Sequence, residues 1–284
     1  MNETRRIGLV LGAGGVRGCA HAGAIAVLQE AGIKVDLVVG ASIGAMFGLG
    51  VAAGVPPERM AADVLEAPAR DVLRFYAGRL RAGSTNRIGR LLHDAAAGKT
   101  FDDLALPFAT VATDMETGEP HVLNRGPVLP AVEASIALPF IARPVQIEGR
   151  YYLDGGLRDT APIQVARDMG ADIVICVCLG YNYHAPGPLR RRPWTRPLLE
   201  RLGGPGSAGP RLADQVRFFG RLCAASFDPP LPAQDADVAI WPDFGSIGPN
   251  SMVGGAFCYR QGVAAAQAAL PRIRGVLGRT SAPA

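Results

Sequence analysis

Residues 7–11 form an unbroken apolar run that leads into a cluster of glycines. Residues 19–31 then place Ala22, Ile25, Ala26 and Leu28 on one helical face. Gly32 stands where a C-cap would close that helix. A second apolar run at 35–39 follows at once, so strand, helix and strand succeed one another in little more than thirty residues. That succession predicts a parallel βαβ unit. Residues 38–55 carry no formal charge over eighteen positions, a length that raises the question of a membrane span. Glycines and a serine interrupt the stretch, which therefore predicts a short strand followed by a short buried helix.

From 56 to 98 the spacing is mostly helical, with Met60, Val64, Leu73, Leu80, Leu91 and Leu92 as buried positions. Strand character returns at 108–113, and a turn at Glu116-Thr117-Gly118-Glu119 precedes a short strand at 121–123. Residues 130–138 read as a helix. Residues 145–147 and 151–153 flank Glu148-Gly149 as a hairpin, which runs directly into Asp154-Gly155-Gly156. Pro162 opens another helix, where its missing N–H does no harm. The near-continuous apolar run 173–179 reads as a strand covered on both faces. Between about 181 and 210 proline, glycine and arginine accumulate and periodicity fades, which predicts an exposed loop or lid. A helix at 211–227, a last strand at 237–241 and a closing helix at 256–270 complete a single domain over residues 1–284.

Composition narrows the function classes. A chain of 284 residues with 49% hydrophobic content can bury a large core. The formal charge of +4 is modest, Lys34 and Lys99 are the only lysines, and no nucleic-acid partner is expected. Five cysteines without a CxxC pair suit a reducing compartment, and residues 1–6 contain no apolar signal core, so a cytoplasmic protein is expected. Cys176 and Cys178 lie two apart in one strand and read as core residues. No clustered Asp/Asn loop suggests calcium, and no metal or cofactor is expected.

The candidate chemistry lies in three glycine motifs. Gly40-Ala41-Ser42-Ile43-Gly44 sits between a strand and a helix, where a sharp turn would push the Ser42 hydroxyl out of the fold as a nucleophile. Gly12-Ala13-Gly14-Gly15-Val16-Arg17-Gly18 follows the first strand. It could cradle a dinucleotide pyrophosphate or, through converging N–H groups, an oxyanion. The nucleotide reading needs an acid at the far end of the second strand, whereas the only acid nearby, Asp36, lies at its start. Asp154, backed by Gly155 and Gly156, could reach a serine from another strand end or simply bond its own turn. His21, His93, His121 and His184 leave a Ser-His-Asp arrangement open, although no motif places any of them beside Ser42.

These motifs, in this order, resemble the bacterial patatin-like phospholipases. The matches are Gly14-Gly15-Val16-Arg17-Gly18, Gly40 to Gly44 and Asp154-Gly155-Gly156, joined by Ala134-Ser135-Ile136-Ala137-Leu138-Pro139 and the run 149–156. Ala13 departs from the glycine of many members. The resemblance implies a three-layer α/β/α fold with a mainly parallel central sheet. It also implies a dyad in which Ser42 attacks an ester carbonyl and Asp154 takes its proton. The N–H groups of Gly14, Gly15 and Val16 would form the oxyanion hole, with Arg17 and Gly18 supporting the loop. Phospholipids, lysophospholipids or related acyl esters are the implied substrates, with Met46, Phe47, Leu138, Phe140 and Ile141 as candidate acyl-lining residues or plain core. Arg190-Arg191-Arg192, Trp194, Arg196, Leu198, Leu199 and Arg201 could touch an anionic membrane. An acyltransferase using the same nucleophile, or a regulator that kept only the fold, are the alternatives.

Overall fold

The computed structural model describes residues 5–65, 87–96, 98–180, 215, 234–248, 251 and 254–278. Strand β1 (Ile7–Leu11), helix α1 (Cys19–Glu30) and strand β2 (Leu37–Ala41) form the βαβ unit, with β1 and β2 parallel and Leu11 opposite Gly40. At the end of α1 the N–H of Gly32 donates to Gln29 O and that of Ile33 to Leu28 O, which satisfies the last carbonyls in a Schellman turn. Strand β2 begins two residues later than the apolar run suggests. The Asp36 carboxylate accepts the N–H of Ile7 at 2.7 Å, so the ladder starts after Asp36 and continues through the small residues Gly40 and Ala41.

Helices α2 (Ile43–Ala52), α3 (Pro57–Leu65) and α4 (Arg87–Ala96) follow. Then come β3 (Phe108–Asp114), β4 (Pro120–Leu123), α5 (Val128–Ser135), β5 (Val145–Ile147), β6 (Arg150–Asp154), α6 (Ile163–Asp168), β7 (Ile173–Val177), β8 (Val238–Ile240) and α7 (Gly255–Gly278). The sheet order is β5-β6-β3-β2-β1-β7-β8, with β4 on the other flank of β3. Strands β3, β2, β1, β7 and β8 are mutually parallel, and the β4 and β5–β6 pairings are antiparallel.

Side chains of successive strand residues point to opposite faces. Leu9, Leu11, Val38, Ile175 and Val177 pack under α1, α2 and α7, while Val10, Leu37, Val39, Val174 and Cys176 pack under α6. The central strands β1, β2 and β7 are buried throughout, as a sheet covered on both sides requires. This is the three-layer arrangement expected. The uncharged stretch 38–55 divides into β2 and the buried α2, and among the described residues no helix is long and apolar enough to cross a membrane.

Two helices differ from the sequence reading. Helix α5 spans Val128–Ser135 instead of 130–138, because the Ala137 carbonyl is drawn off to the N–H of Asp154 and Pro139 cannot extend a helix. Helix α7 continues eight residues past 270, through Pro271. The carbonyl that Pro271 leaves without a donor belongs to the exposed Gln267, where water can satisfy it. At its end, Arg5 Nη2 donates to Val276 O and Leu277 O at 2.8 and 2.9 Å. Met60, Leu91 and Leu92 are buried as expected. Leu73, Leu80, the 181–210 loop and the 211–227 helix, Gln215 apart, lie outside the described residues.

Candidate active site

Strand register brings the two principal candidates together. Along β3, Val111 pairs with Ala41 of the parallel β2, and the next residue, Ala112, pairs with Asp154 of the antiparallel β6. Strand β4 overlaps both pairings, so it occupies the opposite edge, and β2 and β6 share one edge and end head to head. Ser42 follows directly on Ala41. Residues 112 apart in sequence thus meet, and the Ser42 hydroxyl donates to Asp154 Oδ2 at 2.6 Å.

The turn at Ser42 is strained. Its φ of 54° and ψ of −124° lie outside the regions that side chains favour, at a cost on the order of 1–3 kcal/mol. The surroundings hold it there. The Ser42 N–H donates to the buried Ser135 Oγ at 2.9 Å, and its carbonyl accepts from the N–H of Ala45 at 2.8 Å. Gly44 lies so close to the end of β1 that a Cβ on it would fall 2.0 Å from the Leu11 carbonyl oxygen. The glycine after the serine is therefore demanded by the contact between elbow and first strand.

Asp154 is 3% exposed. Its second oxygen, Oδ1, accepts the N–H of Gly156 at 2.8 Å, its own N–H donates to Ala137 O, and its carbonyl accepts from Thr113 Oγ1 at 2.8 Å. Burial pushes the carboxyl up from 3.8 to about 7, against the pull of the hydrogen bonds from Ser42 and Gly156. An ordinary aspartate is too weak a base for a serine hydroxyl, and this displacement moves Asp154 towards the working range of a general base.

The glycine loop is pinned at its entrance. Gly12 N–H donates to Val177 O and Ala13 N–H to Thr160 O, and Gly15, at φ 56°, turns the chain into a short 3₁₀ helix over Gly15–Gly18. The N–H groups of Gly14, Gly15 and Val16 stand at the start of that helix, where no intrahelical acceptor exists, and among the described residues no other main-chain carbonyl takes them. Gly18 packs onto the helix after the elbow: a Cβ there would meet Ile43 Cγ1 at 2.2 Å. Arg17 ties the loop to its surroundings. Its Nε donates to Ile247 O at 2.8 Å, its Nη1 to Leu179 O and Gly180 O at 3.1 and 2.5 Å, and its guanidinium lies 4.9 Å from the Phe244 ring centroid.

His21 is wholly buried beneath this loop, with Nε2 2.8 Å from Gly12 O and its ring edge-on to Phe47. Burial lowers its pKa from 6.5 to about 4, so the ring is neutral, and Nδ1 has no partner among the described residues. Its polar contact goes to the loop and not to Ser42. His93 and His121 are exposed, and His184 lies outside the described residues. The Asp36 carboxylate is occupied at the opposite end of β2 by the Ile7 N–H, which removes the acid a dinucleotide would need. Cys176 and Cys178 face each other in the core, sulfurs 3.3 Å apart.

Comparison with known proteins places the chain in a family. The sequence profile described as patatin-like phospholipase matches residues 9–167, more than half of the chain. The chain belongs to the patatin-like phospholipase family. It is 34% identical over 192 residues to an uncharacterized NTE family protein of Mycobacterium tuberculosis, a match covering 66% of this chain and 52% of that relative. It is 35% identical over 190 residues to human patatin-like phospholipase domain-containing protein 6, covering 61% of this chain and 13% of the relative. The chain thus spans about half the length of the mycobacterial relative and a small part of the human one. Among solved structures it is similar to VipD from Legionella pneumophila, with a TM-score of 0.56 over 95% of this chain and 67% of that one. At 15% identity the likeness is one of fold.

Within the patatin-like chain, the candidate acyl-lining residues separate into two groups. Met46 and Phe47 are 1% and 0% exposed and lie in the core, Phe47 edge-on to His21 of α1. Leu138, Phe140 and Ile141 belong instead to the turn after α5, with Phe140 and Ile141 half exposed. The arginine-rich stretch 190–201 lies outside the described residues. Sequence reasoning assigned no role to Ser135, Thr113 or Gln215. Ser135 was visible only as part of a resembling motif. The strand register that brings Thr113 to Asp154 has no local signal, and the Gln215 side chain bonds both sides of the Phe140 turn from 75 and 73 residues away.

Proposed function

We propose that this patatin-like protein hydrolyses acyl esters of phospholipids, lysophospholipids or related lipids through an acyl-enzyme on Ser42. The observation that carries the reading is the 2.6 Å hydrogen bond from the Ser42 hydroxyl to a buried Asp154 whose carboxyl is pushed up to about 7. As Ser42 Oγ adds to the ester carbonyl, its proton passes to Asp154 Oδ2 and the carbonyl oxygen becomes an oxyanion. The N–H groups of Gly14, Gly15 and Val16 are the donors for that charge; one such donor is worth roughly 3 kcal/mol of barrier. Collapse breaks the bond to the leaving alcohol, which takes the proton from Asp154. Water then repeats the sequence on the acyl-enzyme and releases a fatty acid. Arg17 and Gly18 hold the donor loop against the elbow. The family relationship supports a lipid as the acyl donor.

The test is labelling by a fluorophosphonate probe. Wild-type protein is expected to form a covalent adduct, Ser42→Ala to form none, and both Ser42→Ala and Asp154→Asn to lose hydrolysis of a lysophospholipid while remaining folded. A labelled Ser42→Ala protein, or one that still cleaves the ester, refutes the assignment. Competing alcohols added to the assay separate hydrolysis from acyl transfer, since an acyltransferase would form the new ester in preference to free acid.

A further inference from the structure

The turn that follows α5 carries a feature the dyad does not explain. Among the described residues three non-glycine residues have positive φ: Ser42 at the elbow, Glu148 in a hairpin turn, and Phe140 at φ 64°. An aromatic residue there is a steric outlier that its surroundings must enforce. Gln215, 4% exposed, does so. Its Oε1 accepts the N–H of Phe140 at 2.7 Å and its Nε2 donates to Ala142 O at 3.3 Å. This clamp points two large apolar side chains outward, for Phe140 and Ile141 remain 50% and 49% exposed. Ala142 between them and the sheet is buried, and Arg143, next along, is exposed.

The same segment is tied to both reacting side chains. Ser135, at the end of α5, accepts the Ser42 N–H, and the Ala137 carbonyl accepts the Asp154 N–H. The apolar tip thus begins three residues beyond the last contact with Asp154. Trp241, 51% exposed, follows the C-terminal end of β8, at the same end of the parallel strands as Ser42. Of the four large apolar residues exposed among those described, Val122, Phe140, Ile141 and Trp241, only Val122 lies within a strand.

We infer that the Leu138–Ala142 turn is a lipid-docking tip, which inserts Phe140 and Ile141 into the acyl layer of a bilayer or lipid aggregate and so brings that layer to Ser42. The inference rests on the proposed lipid substrate, and it names the surface through which that substrate's own phase is met. A second protein copy is a poor occupant, because two half-exposed side chains offer about 200 Å² at most, against roughly 800 Å² per partner in a stable interface. A lipid phase needs no such area, and an adjacent arginine suits the phosphate layer just above the tip.

The test uses Phe140→Asn with Ile141→Asn, asparagine being a residue that tolerates the left-handed conformation. In a Ser42→Ala background, co-sedimentation with uncharged phosphatidylcholine vesicles is expected to weaken about thirtyfold to a hundredfold, with little dependence on salt. In the active protein, hydrolysis of phosphatidylcholine vesicles should fall in parallel, while kcat/KM for a soluble short-chain ester and the fluorophosphonate labelling rate stay unchanged. Equal vesicle partition of the two proteins, or wild-type partition too weak to detect, overturns the inference, as does a parallel loss on the soluble ester. A concentration-dependent dimer that the double variant abolishes would overturn it in favour of a second copy. Should wild-type protein cleave no ester at all, the proposed function fails, and the vesicle partition still decides the role of the tip.

Discussion

Replacing Asp154 with asparagine should destroy activity and stabilise the protein. The carboxyl is buried and its pKa is raised from 3.8 to about 7, so between those values the unfolded chain ionises Asp154 while the folded protein keeps it neutral. The folded state then binds the extra proton, and stability falls with rising pH, at about 1.4 kcal/mol per pH unit. Over about three units the cost reaches ~4 kcal/mol and stays constant above pH 7. Asparagine is the same size, its oxygen can accept the Gly156 N–H and its amide can donate to Ser42 Oγ, so both contacts have replacements and only the ionisation is removed. Urea unfolding of the two proteins across pH 4 to 9 should show near-equal stability at pH 4. The variant's advantage should grow through pH 7 and then level off. A constant difference across that range would show that Asp154 is not held in a displaced ionisation state, and the account of how it serves as a base would fall with it.

The same displacement shapes the rate. With Asp154 as base, kcat/KM on a soluble ester should rise about tenfold per pH unit below about 7 and plateau above it; a plateau already complete at pH 5 would show a base with an ordinary carboxylate pKa. Ser135→Ala leaves the Ser42 N–H buried without its acceptor, at a cost of about 1–3 kcal/mol, with lower kcat as the strained turn relaxes; unchanged urea midpoint and unchanged kcat would contradict the role given to that bond. For His21, lowered from 6.5 to about 4, the unfolded chain binds the extra proton between those values. Its contribution is complete above pH 6.5 and lost towards pH 4, so in urea titrations the stability of wild type relative to His21→Phe should rise with pH between about 4 and 6.5 and then level off; a constant difference would contradict the displacement.

Much of the fold was legible because its signals are local. The βαβ opening follows from two apolar runs around a helix-period segment, and the Glu148-Gly149 turn, with both residues at positive φ, joins β5 and β6 in the hairpin expected. Boundaries shifted where a tertiary bond competed with the pattern. Asp36 looked like the entry to a strand and instead holds the first residue of β1. Residues 136–138 looked helical and instead surrender a carbonyl to Asp154. The pairing of Ser42 with Asp154 was proposed from resembling motifs; no local property of either residue encodes it, because it depends on β2 and β6 ending head to head on β3. The same reasoning explains why Met46 and Phe47 could not be told from lining residues: an all-apolar helix does not reveal which side faces a ligand, and α2 is buried on every side.

The two buried titratable groups pull stability in opposite directions, and their windows overlap. His21 makes stability rise with pH between about 4 and 6.5, whereas Asp154 makes it fall between 3.8 and about 7. Each contributes a slope of about 1.4 kcal/mol per pH unit, of opposite sign, so from about pH 4 to 6.5 their effects cancel. Wild-type protein therefore gains no net pH dependence from this pair in that range, although both groups are strongly displaced. Either substitution uncovers the other: Asp154→Asn should gain stability as pH rises to 6.5, and a His21→Phe protein should lose it through pH 7. The raised carboxyl alone weakens the protein towards neutral pH and the buried neutral histidine alone weakens it towards acid, so the two together leave little net pH dependence between about 4 and 6.5.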